Sequence, residues 1–356
     1  MKLKGNRGEW SELYAFFKLL AEGRLYSGDG KLNRYSERYV PILKVFRDDS
    51  PDRTSYTVGE THIHLLQAGK TETIDIPRER FAKEAGRLLD CIQNMKGSCQ
   101  LEWLEPFMSE IGCDSLKAKS SDKADIRIVI HDLKTGMAPE LGYSIKSKLG
   151  SPSTLINANK GASAFVYRID GMTRQSADAF NLTGSFKAKF KVLEDAGASV
   201  SFFKVAGDAL HFNLTMLDTA IERIMAEELL AYYKGKANTI EKATALVGEQ
   251  DPLALDCEPK QRIYAYKVKQ FLLAFALEMT VSKPWEGKFN ATGGYIVVKE
   301  DGDIVCYHFF DRSELEDYLY FNTRFETPST TRHDYGKIYE ENGAFFVKLN
   351  LQVRFV

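Results

Sequence analysis

Asp125 and Lys146 bracket the stretch KADIRIVIHDLKTGMAPELGYSIKSK, residues 123–148, in which apolar and polar side chains alternate on either side of a Thr-Gly pair. A carboxylate and an ammonium on one face of a two-stranded element suit phosphodiester hydrolysis with a hard divalent cation. Mg2+ takes oxygen ligands, keeps several waters and binds through one or two carboxylates plus substrate phosphate. Such a cation activates water and offsets phosphoryl charge. A lysine beside it can position that water and stabilise the developing negative charge. A surface hairpin whose Asp and Lys form a weak exposed pair would carry the same letters, so the residues alone leave both readings open.

The alternation supplies the elements. Ile126, Ile128 and Ile130 form one apolar row and Leu141, Tyr143 and Ile145 the other, with Asp125, Arg127, Ser144 and Lys146 on the opposite face. A turn centred on Thr135-Gly136 pairs Ile126 with Ile145, Ile128 with Tyr143 and Ile130 with Leu141. It sets Asp125 opposite Lys146. A two-residue slip would keep these faces, whereas a one-residue slip would bury the charges. Upstream, Trp10, Leu13, Phe17 and Leu20 predict an amphipathic helix over 8–22 with Glu9 and Glu12 on its flank. Downstream, Gly150-Ser-Pro-Ser-Thr-Leu predicts a polar loop leading into a short helix, with Ala164–Ile169 as a third strand. That arrangement would bring Ser151, Ser153, Thr154 and Asn157 beside the site, where hydroxyls, amides and a helix N-terminus hold phosphate. Ordinary turn chemistry accounts for the same residues equally well.

Composition bounds the rest. With 44% apolar and 27% charged residues in 356, the chain reads as one elaborate globular domain or two ordinary ones. Basic and acidic residues nearly balance, at 48 and 49. The stretch from Ser115 to Lys191 is different: its 13 Lys/Arg against 6 Asp/Glu leave +7, and the remainder of the −1 chain carries −8. A basic stretch around the Asp125–Lys146 segment is what phosphate neutralisation requires. Five scattered cysteines without C-x-x-C spacing predict reduced thiols and a cytoplasmic protein. No apolar run reaches membrane-spanning length and no signal peptide is expected. Gly69-Lys70-Thr71 ends like a P-loop, but His64 stands where the motif needs glycine.

Asp125, a turn, and Ser144-Ile145-Lys146 resemble the PD-(D/E)xK nuclease motif, with serine in place of the second acid. Together with KGNRGEWSELYAFFKLL at the start, YSIKSKLGSPSTLINA after the turn and RFETPSTTRHDYGKIYEENGAFFVKLNLQVRF at the end, the chain resembles the HpaII-like type II restriction endonucleases over nearly its whole length. The resemblance implies an α/β restriction-endonuclease-like core, a mixed sheet flanked by helices, with a C-terminal α+β extension. It divides the chain into a catalytic region, 1–211, and a recognition and dimerisation region, 212–356. It further implies Mg2+ as cofactor, double-stranded DNA as substrate, CCGG as the target and 5′-phosphate ends. A homodimer on DNA and a cytosine methyltransferase encoded as genetic partner would accompany this activity.

In that reading Asp125 binds the metal, Lys146 positions water, and Ser144 supports them weakly. Because serine leaves the motif one acid short, Glu9 is the expected second metal ligand, ahead of Glu12 and Glu140. Arg324, Ser329, Thr330, Arg332 and His333 form a donor-rich segment around Pro328, suited to base edges and phosphates, with the two arginines able to read guanine. Two rivals keep the same residues: a structure-selective repair or junction nuclease, and a DNA-binding protein whose nuclease site is degenerate.

Overall fold

Strand-forming segments from three parts of the chain join the hairpin in one sheet. The computed structural model describes residues 3–47, 53–116, 124–133, 135–289 and 293–356. Nine strands form a mixed sheet: β1 (Arg24–Gly28), β2 (Arg34–Phe46), β3 (Ser55–Val58), β4 (His62–Leu66), β5 (Thr73–Pro77), β6 (Ile126–Ile130), β7 (Glu140–Ser147), β8 (Gly294–Val298) and β9 (Ile304–His308). Their order is β1-β9-β8-β7-β6-β2-β3-β4-β5. The first half of β2 also pairs with β1, the strand at one end of that order. The alternating stretch 54–76 becomes the antiparallel run β3-β4-β5. Pairing is antiparallel except where β8 runs parallel to β7 and β9 parallel to β1.

Helix α1 (Arg7–Glu22) is set by its ends. Asn6 caps it by accepting from the Glu9 amide at 3.1 Å, while Glu9 Oε2 accepts from the Asn6 amide at 2.9 Å. Its predicted stripe of Trp10, Leu13, Phe17 and Leu20 is fully buried. Helix α2 (Arg78–Asn94) presents Phe81, Leu88 and Ile92 to the same core. Phe17 meets Phe81 and Phe107 edge-on at 6.0 and 5.4 Å, an arrangement that adds ring electrostatics to the burial of apolar area. Arg7 ties the helix down: Nε donates to Met95 O at 3.1 Å and Nη1 to Leu149 O at 3.2 Å, just beyond β7.

The chain folds as two compact units, Met1–Ser153 with Phe289–Tyr318, and Thr154–Lys288 with Leu319–Val356. In the second, a four-stranded antiparallel sheet has the order Ser199–Val205, Ala164–Asp170, Ala344–Asn350, Ile338–Glu341. A three-stranded sheet orders Thr154–Ile156, Val353–Phe355 and Thr323–Phe325. Among the described residues no helix is long and apolar enough to cross a membrane.

Two local expectations are corrected. Ala164–Asp170 is not the third strand of the hairpin's sheet; that place is taken by β8, whose GYIVV is wholly buried. No short helix follows Gly150: Thr154–Ile156 is a strand paired with Val353–Phe355, and the next helix begins at Arg174. Helices Ile221–Tyr233 and Ile240–Gln250 are separated where Gly235 takes φ +73° and Thr239 caps a new start.

Candidate active site

Hairpin register decides what Asp125 meets. Ile126 pairs with Tyr143, Arg127 with Gly142 and Ile128 with Leu141, two residues away from the expected pairing. The faces are unchanged, as that slip requires. The cause is the turn. Asp132 N donates to Met137 O at 2.9 Å and Gly136 N to Asp132 O at 2.8 Å, so the loop is closed by Asp132 and Met137 instead of centring on Thr135-Gly136. Gly136 takes φ +71°, which glycine adopts without a side-chain clash. At Gly142 a Cβ would lie 2.8 Å from the Ala124 Cβ, so the strand start carrying Asp125 approaches β7 closely only because no side chain is there.

Asp125 therefore faces Ser144 and not Lys146. Its Oδ2 accepts from the Ser144 hydroxyl at 3.1 Å and from the Ile145 amide at 2.7 Å. Lys146 Nζ donates to Ser144 Oγ at 2.8 Å. The three expected residues are thus brought together as one chain, carboxylate to hydroxyl to ammonium, with Ser144 as its middle link. Asp125 Oδ1 has no partner among the described residues.

Lys146 is half-buried. Desolvation pulls its pKa below the ordinary lysine value, and the charges of Asp125 and then Glu12 push back. Glu12 is therefore the helical acid whose charge acts on Lys146. Glu9, expected to supply the second carboxylate, has Oε2 engaged at the start of α1. Glu140 lies at the entry of β7 in a paired arrangement with Arg53, at 2.8 Å from its Nη1.

The donor set fits a hard cation of modest coordination demand. Asp125 Oδ1 accepts no hydrogen bond among the described residues, and the Glu12 charge acts on Lys146 beside it. Among the described residues no cluster of three or more His, Cys, Asp or Glu could enclose a metal by itself. Mg2+ needs no such cage, since waters and substrate phosphate complete its shell.

The remaining expected contact residues are divided between the two units. Ser151 is exposed and Ser153 half-exposed in the segment ending the first unit; Thr154 belongs to a strand and Asn157 is exposed, both in the second. The helix N-terminus expected to join them does not exist. The segment from Arg324 is not a single loop either. Arg324 lies in strand Thr323–Phe325, 3.7 Å from the Glu326 carboxylate. Ser329 caps the short helix Thr330–His333 by accepting from the Arg332 amide at 3.3 Å. Thr330 and Arg332 are exposed, and the Arg332 guanidinium meets no acid among the described residues. His333 is half-buried, with Nδ1 unpartnered.

Residues 6–355 match the family model described as HpaII restriction endonuclease. The chain is 42% identical over 354 residues to the type II restriction enzyme HpaII of Haemophilus parainfluenzae, an alignment covering 99% of this chain and 98% of that protein. No solved structure matches.

Proposed function

The chain belongs to the HpaII restriction endonuclease family, and from that premise we propose that Asp125, Ser144, Lys146 and Glu12 carry Mg2+-dependent cleavage of double-stranded DNA at a short palindrome. As a type II restriction enzyme it is a site-specific deoxyribonuclease, which sets aside both the junction-nuclease and the degenerate-site readings. The observation that carries the proposal is the chain of contacts from Asp125 through Ser144 to Lys146 with one Asp125 oxygen left open.

Asp125 Oδ1 and the Glu12 carboxylate would hold the cation, within a PD-(D/E)xK-like arrangement whose second acid comes from α1. When bound, Mg2+ supplies water activation and charge neutralisation on the phosphoryl oxygens. Ser144 and the Ile145 amide fix the Asp125 carboxylate by occupying Oδ2, so that Oδ1 has one direction. Lys146 presents an ammonium to the attacking water and to the charge that develops on phosphorus-bound oxygen. In-line attack breaks the P–O3′ bond, the leaving oxygen takes up a proton, and the ends are a 5′-phosphate and a 3′-hydroxyl. Glu9, at the start of the same helix, stands as the alternative second acid.

Recognition of CCGG is proposed from the family, with Arg332 and Arg324 the candidates for reading guanine and Ser329, Thr330 and His333 around them. Ser151, Ser153, Thr154 and Asn157 are candidates for backbone contacts. A palindromic target suits two copies related by a two-fold axis, a homodimer on DNA. A cytosine methyltransferase would protect the host's own sites. Digestion of plasmid DNA with Mg2+, followed by sequencing of the ends, tests the whole reading. Breaks at CCGG with 5′-phosphates are expected; breaks at another tetranucleotide would overturn the target, and no breaks would overturn the mechanism.

A further inference from the structure

We infer that Tyr295 is a positioning residue for the cleavage reaction, its ring holding the Lys146 ammonium in the place from which it acts. The inference deepens the proposed role of Lys146 and rests on it. Its basis is the parallel pairing of β8 with β7, which no local pattern links to the hairpin. Tyr295 pairs with Ser144 and Val297 with Lys146, so Tyr295 shares their face of the sheet and is the diagonal neighbour of Lys146. Diagonal neighbours are within reach of aromatic and long side chains. Lys146 Nζ lies 5.1 Å from the centre of the Tyr295 ring, within the range over which an ammonium is attracted to an aromatic face.

Surroundings sharpen the point. Tyr295 is 3% exposed and so is itself held by packing. The ammonium is desolvated, which strengthens attraction to the ring relative to an exposed pair. Its hydrogen bond to Ser144 fixes one N–H direction and leaves rotation about that direction. The ring limits that rotation and keeps water off one side. A lysine free to swing would spend part of its time away from the scissile phosphate, and misplacement of a catalytic group by an ångström is costly.

The test measures single-turnover cleavage and, without divalent cation, affinity for a cognate duplex in four proteins: the natural sequence, Lys146→Ala, Tyr295→Phe and Tyr295→Leu. Tyr295→Phe keeps the ring and is expected to cleave nearly as the natural protein does. Tyr295→Leu is expected to slow cleavage by roughly three- to thirtyfold, the range such a contact spans, with duplex affinity unchanged. Phenylalanines carrying one to three ring fluorines at position 295 supply a series that preserves packing while weakening the negative ring face. Their rates should fall stepwise with fluorine number. A flat series, or a Tyr295→Phe loss equal to that of Tyr295→Leu, would overturn the inference. Undiminished cleavage by Lys146→Ala would instead overturn the role of Lys146, a separate failure read from a separate arm.

Discussion

Two lysines in different units share an environment and differ in what they can do. Lys146 lies in the first unit and Lys189 in the second. Both have aromatic neighbours: Tyr295 at 5.1 Å from the Lys146 ammonium, Phe180 and Phe186 at 4.8 and 5.7 Å from that of Lys189. Desolvation lowers the pKa of each. Lys189 is fixed by donating to the Gly336 carbonyl at 2.6 Å, and the next influence on it is the like charge of Lys337. Lys146 instead donates to a hydroxyl that is itself bonded to a carboxylate, and the charges acting on it are Asp125 and Glu12. A buried lysine bonded to backbone holds a structure together. One bonded into a side-chain relay with a carboxylate fits the catalytic role proposed for Lys146.

The contrast breaks first at the largest expected effect. Lys146→Ala and Asp125→Asn should each reduce the single-turnover cleavage rate by roughly a hundred- to a thousandfold or more while the cognate duplex still binds. Lys189→Met should leave the cleavage rate unchanged and lower stability by about 1–3 kcal/mol, because the Gly336 carbonyl loses its donor. Denaturant melts beside the rate measurements check both, and a cleavage defect in Lys189→Met would erase the distinction.

The acids of α1 sharpen it next. Glu12→Gln should slow cleavage and raise the Mg2+ concentration needed for half-maximal rate. Glu9→Gln should act mainly through the helix start, where loss of the charge costs about 0.3–1 kcal/mol of stability. A Mg2+ titration of both variants decides between them, and a larger shift in Glu9→Gln would restore it as the second ligand.

In the second unit, Arg332→Ala is expected to weaken cognate binding by about 1–3 kcal/mol and to reduce discrimination against single mismatches. Arg324→Ala, whose guanidinium already has the Glu326 carboxylate nearby, should do less. Competition binding at fixed salt separates base reading from phosphate contact, since loss of a phosphate contact weakens all sequences alike.

The smallest effects concern pH. Burial lowers the His308 pKa to about 4 from 6.5. Its contribution to stability is therefore complete above pH 6.5 and lost as pH falls through about 4. Burial raises Glu228 to about 8 from 4.5. Its contribution is present below pH 4.5 and lost as pH rises through about 8. Glu228→Gln should consequently raise the melting temperature at pH 8.5 relative to the natural protein, with the difference vanishing near pH 5. Thermal melts across that range check the sign.

Local pattern was sufficient for much of this. The stripe of α1 and both faces of the hairpin are repeats of period 3.6 or 2, written in adjacent residues. Asp125, Ser144 and Lys146 share a face for the same reason, which is why they could be picked out as a set. The register was beyond that pattern, because a two-residue slip satisfies the same alternation and only the backbone geometry between Asp132 and Met137 chooses.

Tertiary structure alone decided the rest. The sequence could place Glu9 and Glu12 on one flank, but the helix anchor from Arg7 to Leu149 and Met95 and the use of Glu9 as a cap partner brought the charge of Glu12 to bear on Lys146. Nor could it show that Gly294–Val298 would lie beside Ser144. A parallel pairing between segments so distant in sequence has no turn to announce it, and an all-apolar strand fits any buried position equally. The shared face of Asp125, Ser144 and Lys146 was therefore written in the residues of the hairpin, whereas the company kept by Lys146 was set by which distant strand and helix could be packed against it.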